Sequence, residues 1–321
     1  MRCWGYSAYG QLGAGVEGST GLGLAVDLGS NRRPMSFGSG AFHTCAVLDN
    51  GTIKCWGLNG KHQLGYAHTD IIYTPASDPV TGITGATAVV GGLGHTCALL
   101  NDGSVKCWGA NESGQLGRGT TSTSEVAPGN AINLGGTATA IVAGSNHTCA
   151  RLDNGVMKCW GDNAYGQLGI ESTTDSNIPV TVLLGGTGDG TVLVQAIAAS
   201  GTGTGGDNSG GARADAGNHT CAIVYAWDFS VWQKARCWGN GSTGQLGQGS
   251  TSNIGDGVGT SLASTGNIDL GFFFVGEIKT GGSHTCARLG DTMKCWGLGT
   301  SGQLGNSSWS SSSIPVSVVF E

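Results

Sequence analysis

Residues 95–117 read HTCALLNDGSVKCWGANESGQLG, and this stretch decides the fold. Two short runs of strand-forming residues, HTCALL and SVKCW, flank a polar Asn-Asp-Gly turn, which is the sequence pattern of a β-hairpin. If Leu100 faces Ser104 across a three-residue loop, then Cys97 lies directly opposite Cys107. Opposed positions on antiparallel strands are close enough for a disulfide, so the stretch predicts a hairpin closed by one.

Four further copies of the stretch keep the same register. In the last copy, HTCARLGDTMKCWG, the loop is one residue shorter, and the cysteines remain opposed around a two-residue turn that begins with Gly290. Because the opposition survives a change in loop length, we predict one cross-strand disulfide per hairpin. The predicted pairs are Cys45–Cys55, Cys97–Cys107, Cys149–Cys159, Cys221–Cys237 and Cys286–Cys295.

Composition excludes several classes of protein. The chain has 321 residues, of which 61 are Gly and only 11% are charged, a balance that favours tight turns between short strands over helices. A net charge of −6 without basic clusters argues against a nucleic-acid partner or an anionic membrane surface. No apolar run approaches the ~18 residues of a membrane span. The first residues, MRCWGYSAYG, start inside a repeat and carry no hydrophobic region of a signal peptide.

The eleven cysteines indicate the compartment. Ten form the five hairpin pairs, and Cys3 is left unpaired. Disulfides in this number favour an oxidising environment, so we expect an extracellular, cell-surface or virion protein. The alternatives are isolated buried thiols and metal binding. Zinc sites favour short C-x2–4-C spacings, whereas these cysteines are more widely separated, so we expect no metal site.

Internal repeats span the whole chain. Cys-Trp-Gly starts at positions 3, 55, 107, 159, 237 and 295, and Gln-Leu-Gly follows each time. His-Thr-Cys occurs in five of the units, which offer about four short strands each, the content of one propeller blade. We predict a single domain over residues 1–321. Its repeat units are about 3–54, 55–106, 107–158, 159–236, 237–294 and 295–321.

The order of these motifs resembles a known repeat. The succession of Gly, His-Thr-Cys-Ala-Leu, Asp-Gly, Val-Lys-Cys-Trp-Gly-x-Asn and Gly-Gln-Leu-Gly is similar to the repeat of the regulator of chromosome condensation superfamily. It is closest to the disulfide-bearing bacterial and phage-type versions. The resemblance implies a β-propeller of repeats of roughly 50 residues. We therefore predict an all-β propeller of about six blades, or seven if residues are missing from the sequence.

The resemblance does not settle function. The family is known for guanine-nucleotide exchange on a small GTPase with chromatin binding, and for secreted propellers that inhibit β-lactamases. Neither activity is carried over to this chain. It lacks a basic tail, its cysteines are at odds with a nuclear location, and inhibitor contacts lie on loops that the shared motif does not specify.

The two ends of the chain depart from the family pattern. The first Cys-Trp-Gly, at 3–5, has no His-Thr-Cys strand before it, and the sequence stops at residues 314–321, just before such a strand is due. Joining the ends gives a sixth blade that we expect to miss one strand, the partner of Cys3 included. The sequence could be a fragment or a mature product, an irregular segment could fill the gap, or a neighbouring subunit could donate a strand.

The unit from residue 159 to 236 is 26 residues longer than the regular ones. Part of the excess is a Gly-rich insertion within 185–216, and the rest lengthens the hairpin between Cys221 and Cys237. The longer hairpin carries four aromatic residues that are candidate partner-binding residues, because exposed aromatics anchor many interfaces. The alternative is that they fold back over the blade rim as a small satellite core. They are Tyr225, Trp227, Phe229 and Trp232.

The repeated motif residues are predicted to be structural. We expect the five histidines to bond neighbouring backbone and the Cys-Trp-Gly tryptophans to pack between blades. In Gln-Leu-Gly, the leucine should enter the core and the glycine should take a turn conformation closed to other residues. No motif for a nucleotide, a catalytic serine or a metalloprotease is present, so no catalytic residue and no cofactor are predicted. Short acidic Gly loops around Asp189 and at 207–210 could hold Ca²⁺, although their spacing does not approach that of an EF-hand.

These observations predict an extracellular, non-enzymatic propeller for binding, adhesion or assembly, with a protein or a surface glycan as partner. One alternative is a structural subunit of a virion, appendage or surface layer that self-assembles through the incomplete terminal blade. A second is a secreted inhibitor or receptor-binding module that uses the Tyr225–Ala235 hairpin. A third is an enzyme acting on polysaccharide, which would need a pair of acidic residues that the sequence does not pick out.

Overall fold

The computed structural model describes residues 1–185, 192–200, 218–226, 233–257, 261–271 and 274–320. Over these ranges the chain forms β-strands and no α-helix, so the described part has no helix that could cross a membrane. The strands are β1 (Arg2–Gly5), β2 (Thr20–Ala25), β3 (Pro34–Ser39), β4 (His43–Leu48), β5 (Ile53–Gly57), β6 (Ala86–Gly91), β7 (His95–Leu100), β8 (Val105–Asn111), β9 (Ser122–Glu125), β10 (Ala138–Ala143), β11 (His147–Leu152), β12 (Met157–Gly161), β13 (Ser176–Thr181), β14 (Val192–Ala199), β15 (His219–Ala226), β16 (Lys234–Gly239), β17 (Val275–Thr280), β18 (His284–Leu289), β19 (Thr292–Gly297) and β20 (Ser312–Ser317).

The strands of the described residues make six antiparallel sheets, each from consecutive strands. In a full sheet such as β6–β9, the first strand is followed by the His-Thr-Cys strand, the Cys-Trp-Gly strand and an outer strand. In the sheets β3–β5 and β14–β16 a single bridge takes the place of the outer strand, joining Gly57 to Ile72 and Gly239 to Ile254. Sheets of this kind are propeller blades, so the predicted all-β propeller of about six blades is confirmed.

The hydrophobic core lies between neighbouring blades. The first strand of each blade packs on the first two strands of the preceding blade, so that β6 contacts β3 and β4, and β10 contacts β6 and β7. At the second of these interfaces, Cys97 and Val105 of one blade pack against Ile141 and Trp160 of the next, all of them buried. No blade buries its own apolar face, and each one depends on its neighbours.

Each of the five full hairpins is closed by a disulfide. The paired residues are directly opposed, with Cα atoms 4.1 Å apart, close to the spacing of a non-hydrogen-bonded antiparallel pair. In the last hairpin, Leu289 faces Thr292 across a two-residue turn whose first residue, Gly290, has a φ of +62°. The bridges are Cys45–Cys55, Cys97–Cys107, Cys149–Cys159, Cys221–Cys237 and Cys286–Cys295.

The remaining sheet, β1–β2, is a half-blade. In it Cys3 of the Cys-Trp-Gly strand pairs with Leu24, as Cys159 pairs with Val180 of the outer strand β13. Two of the four strand types are therefore present, and the expectation that this blade misses only one strand is wrong. The reason lies at the other end of the chain, where the β-forming residues around Val316 pair with Cys295 as the outer strand of the last full blade.

Candidate functional site

A backbone carbonyl in each Gln-Leu-Gly loop ties one blade to the next. The Gln115 carbonyl accepts a hydrogen bond from the Thr148 hydroxyl at 3.1 Å and one from Trp160 Nε1 at 2.9 Å, both in the following blade. The Gln115 side chain fixes its own loop by accepting from the Ser113 amide at 2.9 Å. The same pair of donors reaches the carbonyls of Gln11, Gln63, Gln167 and Gln245.

The histidines extend this connection. His95 Nε2 lies 3.0 Å from the Thr148 hydroxyl, whose own proton goes to Gln115, so His95 must donate and is neutral with its proton on Nε2. Burial is the main cause that lowers the pKa of His95, to about 3, and its Nδ1 has no hydrogen-bond partner in the described part of the chain. The other three pairs are His43–Thr96, His147–Thr220 and His219–Thr285. The predicted structural role is right, but the partner is a threonine hydroxyl of the next blade and not neighbouring backbone.

The glycine of Gln-Leu-Gly makes room for the next blade's tryptophan. Gly117 has a φ of +70°, and a Cβ built on it would lie 2.7 Å from Trp160 Nε1. Leu116 and Trp160 are completely buried. The predicted turn glycine, core leucine and inter-blade tryptophan are confirmed.

One part of the repeat surface is uncovered, and we call it the open edge: Cys3 and Trp4 of β1 with Phe37 of β3. Trp4 is 66% exposed, whereas its counterparts in the five other Cys-Trp-Gly motifs, such as Trp108, are 0% exposed. Phe37 is 71% exposed, whereas the equivalent Val89 is 2% exposed. Cys3 is the free cysteine, partly exposed, and burial raises the pKa of its thiol.

A second uncovered surface lies on the last blade, and we call it the last-blade face: His284, Cys286 and Met293. All three are partly exposed, whereas the residues at these positions in other blades are buried. The open edge and the last-blade face are the two sides of one interface that lacks its filling. This surface is what sequence reasoning missed at the level of residues, although the absent His-Thr-Cys strand before Cys3 was its signal.

The predicted aromatic site is only partly described. Tyr225 is half-buried in β15, opposite Leu193 of β14. Trp227, Phe229 and Trp232 lie outside the described residues, as do the acidic Gly loops around Asp189 and at 207–210. A partner-binding role for this hairpin and a Ca²⁺ site in these loops remain predictions.

An acidic groove between two blades offers no free catalytic pair. Glu112 and Asp175 line an open cavity of about 350 Å³. Glu112 is paired with Lys61 at 2.5 Å, and Asp175 accepts the Asn163 amide at 2.8 Å, so both carboxylates hold loops in place. Within the described ranges no group of three His, Cys, Asp or Glu side chains is arranged to hold a metal ion.

The repeats match a known family. Residues 36–63, 86–115 and 138–167 match a family model described as the regulator of chromosome condensation (RCC1) repeat, and residues 102–151 match a second model with that description. The chain is an RCC1-like repeat protein. The matched segments of this RCC1-like chain contain the hairpins and the Gln-Leu-Gly loops that join the blades.

Solved structures share the fold of the RCC1-like chain. Human WBSCR16 superposes with a TM-score of 0.74 at 20% identity, covering 99% of this chain and 79% of the other. Prp20p from Saccharomyces cerevisiae, whose structure was described with its binding to Gsp1p and histones, gives 0.74 at 19% identity, covering 99% and 72%. At these identities the likeness shows the fold alone.

Curated relatives are longer proteins. The ultraviolet-B receptor UVR8 of Arabidopsis thaliana is 30% identical over 182 residues, which cover 56% of this chain and 41% of the receptor. The probable E3 ubiquitin-protein ligase HERC4 of Homo sapiens is 28% identical over 374 residues, which cover 99% of this chain and 32% of the ligase. The chain spans less than half the length of either relative.

Proposed function

We propose that this chain is a non-enzymatic scaffold that binds protein partners through the open edge and works outside the cytosol. The observation that carries the proposal is the 66% exposure of Trp4 at a position that is fully buried in every other blade. A buried-type tryptophan left in contact with water is a contact anchor, because covering it removes a large apolar area from solvent. The relatives include proteins whose printed names or titles refer to binding other proteins, Prp20p among them.

The proposed location is supported by the cysteines. Five disulfides close short hairpins in a chain with few charged residues, and such bridges form and persist in oxidising environments. Trapping of free thiols by alkylation before the cells or particles are opened tests this part. Alkylation of all eleven cysteines in their native setting would overturn the proposed location, whereas protection of ten is the expected result.

Chemical cross-linking with mass spectrometry tests the binding role. The purified full chain is incubated with the extracellular fraction of its source, and cross-links to partners are mapped with and without Trp4→Ser. The matched control is Trp309→Ser, because Trp309 is also highly exposed, at 73%, but lies in the loop before β20. We expect cross-links near the open edge that Trp4→Ser removes and Trp309→Ser preserves. Cross-links that avoid the open edge, or that respond equally to both variants, would overturn the proposal.

A further inference from the structure

Four groups at the open edge and the last-blade face lack the partner that their counterparts have. Thr44 donates to the Gln11 carbonyl at 2.9 Å, but no histidine of the described residues donates to it. On the other side, the described chain supplies no threonine for His284, and no threonine or tryptophan donates to the Gln303 carbonyl. Gly305 lies beside Val318, where Gly117 lies beside a tryptophan. Cys3 is the fourth group, a free thiol.

The five complete hairpins show what would supply all four partners. In each, His-Thr-Cys faces the Cys-Trp-Gly strand in one register: His95 opposite Gly109, Thr96 opposite Trp108, and Cys97 opposite Cys107. A strand in that register beside β1 would place a cysteine opposite Cys3 and a threonine opposite Trp4. Its histidine would reach Thr44, as His43 reaches Thr96. Its threonine would accept from His284 and donate to Gln303.

The exposed apolar surface fits the same occupant. Phe37 is 71% exposed, and the equivalent Val89 is covered by Cys45 and Val47 of the preceding His-Thr-Cys strand. A first strand ahead of the His-Thr-Cys strand would cover the last-blade face, as β6 covers β3 and β4. The missing filling is therefore two antiparallel strands and not a single peptide strand.

We propose that the open edge binds a β-hairpin of this same repeat type, supplied by another polypeptide, whose His-Thr-Cys strand pairs antiparallel with β1. This inference rests on the proposed binding function and names the partner's chemistry. The blade-to-blade interface is already built repeatedly within the chain, and the bound hairpin continues it.

The pairing also places a second cysteine against Cys3 for thiol–disulfide exchange. With the partner cysteine presented as a mixed disulfide with a small thiol, the Cys3 thiolate attacks the partner sulfur. The bond to the small thiol breaks as the Cys3–partner bond forms. The small thiol leaves as a thiolate and takes up the proton that Cys3 lost, so no net oxidation occurs.

The probe is a synthetic peptide with the sequence of residues 86–100, ATAVVGGLGHTCALL, carrying glutathione on its cysteine. It is added to the full-length, disulfide-intact protein. We expect release of one equivalent of glutathione, an adduct on Cys3 by mass spectrometry, and a blue shift of tryptophan fluorescence as Trp4 leaves water. We expect exchange to be about tenfold faster than with a peptide in which His95 and Thr96 are replaced by alanine, because docking raises the effective concentration of the two sulfurs.

Variants of the protein separate docking from simple thiol reactivity. Phe37→Ser should slow the exchange, whereas Met35→Ser should not, because Met35 is 70% exposed at a position where the equivalent Thr87 is exposed as well. With Cys3→Ser, a non-covalent fluorescence change should remain. Equal exchange rates for both peptides would overturn the inference. So would a Cys3–Cys3 dimer of two copies of this chain that forms equally fast with and without peptide.

The two proposals fail separately. If the peptide does not dock but partner cross-links still map to the open edge, the hairpin inference is wrong and the binding function stands. If cross-links avoid the open edge, the binding function proposed for that surface is wrong whatever the peptide does.

Discussion

His43 Nε2 donates to the hydroxyl of Thr96 across a blade interface at 2.9 Å, although the two residues are 53 positions apart. Thr96 in turn donates to the Gln63 carbonyl at 2.6 Å. Three residues from two blades thus form a chain of hydrogen bonds in a buried interface, where an unmade bond is costly. The connection between blades is polar at this point and apolar around it.

The first prediction concerns this chain of bonds. Thr148→Val removes the acceptor of His95 and the donor to Gln115, leaving two buried polar groups without a partner. We expect the free energy of unfolding to fall by roughly 2–4 kcal/mol, measured by urea unfolding with the disulfides intact. The control is Thr44→Val, since Thr44 donates to Gln11 but receives no histidine bond in the described structure. Its loss should be about half as large, and equal losses would contradict the role given to the histidines.

The second prediction concerns acid. Burial lowers the pKa of His43 and His147 to about 4, and it is the main cause that lowers the pKa of His95 and His219 to about 3, from 6.5. As the pH falls below 6.5, the unfolded chain binds these protons first, so stability is lost until the pH reaches the folded values. Each histidine should add a slope of roughly 1.4 kcal/mol per pH unit in that window, and none above it.

Urea unfolding between pH ~5 and ~8 measures this slope. His95→Gln keeps a donor toward Thr148 and cannot be protonated in this range, so it should reduce the slope by the share of one histidine. A slope that His95→Gln leaves unchanged would assign the acid sensitivity to other groups.

The third prediction separates two costs of replacing a turn glycine. Gly117→Ala combines a left-handed φ of +70° with a Cβ only 2.7 Å from Trp160 Nε1. Gly119→Ala has a φ of +79° but meets Ile178 at an ordinary 3.7 Å. We expect a loss of about 1–2 kcal/mol for Gly119→Ala, and about 1–3 kcal/mol more for Gly117→Ala. Thermal unfolding compares them, and equal losses would show that Trp160 moves aside freely.

The fourth prediction concerns the disulfides. Replacing Cys97 and Cys107 together by alanine opens a hairpin whose cysteines are ten residues apart, and should lower the free energy of unfolding by roughly 2–3 kcal/mol in the chain-entropy picture. Cys3→Ser is the matched control, because the Cys3 thiol is free and only partly buried. It should change stability by less than about 0.5 kcal/mol. A loss for Cys3→Ser as large as for the pair would mean that Cys3 is already bonded.

The sequence was sufficient for features that depend on local spacing. The position of Cys97 relative to Cys107 follows from loop length and strand alternation alone, so the hairpin register and its disulfide could be read directly. The recurrence of the unit then gave the propeller, since a blade that cannot cover its own apolar face must stack on copies of itself. The turn at Gly117 and the burial of Leu116 followed from the motif.

Contacts between repeats could not be read in the same way. Nothing in the spacing of His43 indicates that its partner is Thr96 in the next unit, because that contact depends on how two blades are rotated against each other. The β-forming residues around Val316 were equally open. An outer strand of one blade and a first strand of the next carry similar residues, and only the pairing with Cys295 assigns them to the last blade.

Trp4 and Trp108 mark the limit between the two kinds of information. Both stand in the same Cys-Trp-Gly motif, so the sequence determined that each belongs to the third strand of a blade. One is 66% exposed and the other 0%. Strand type depends on a residue's own neighbours along the chain, whereas burial depends on which other blade covers it, and only the tertiary structure decided that.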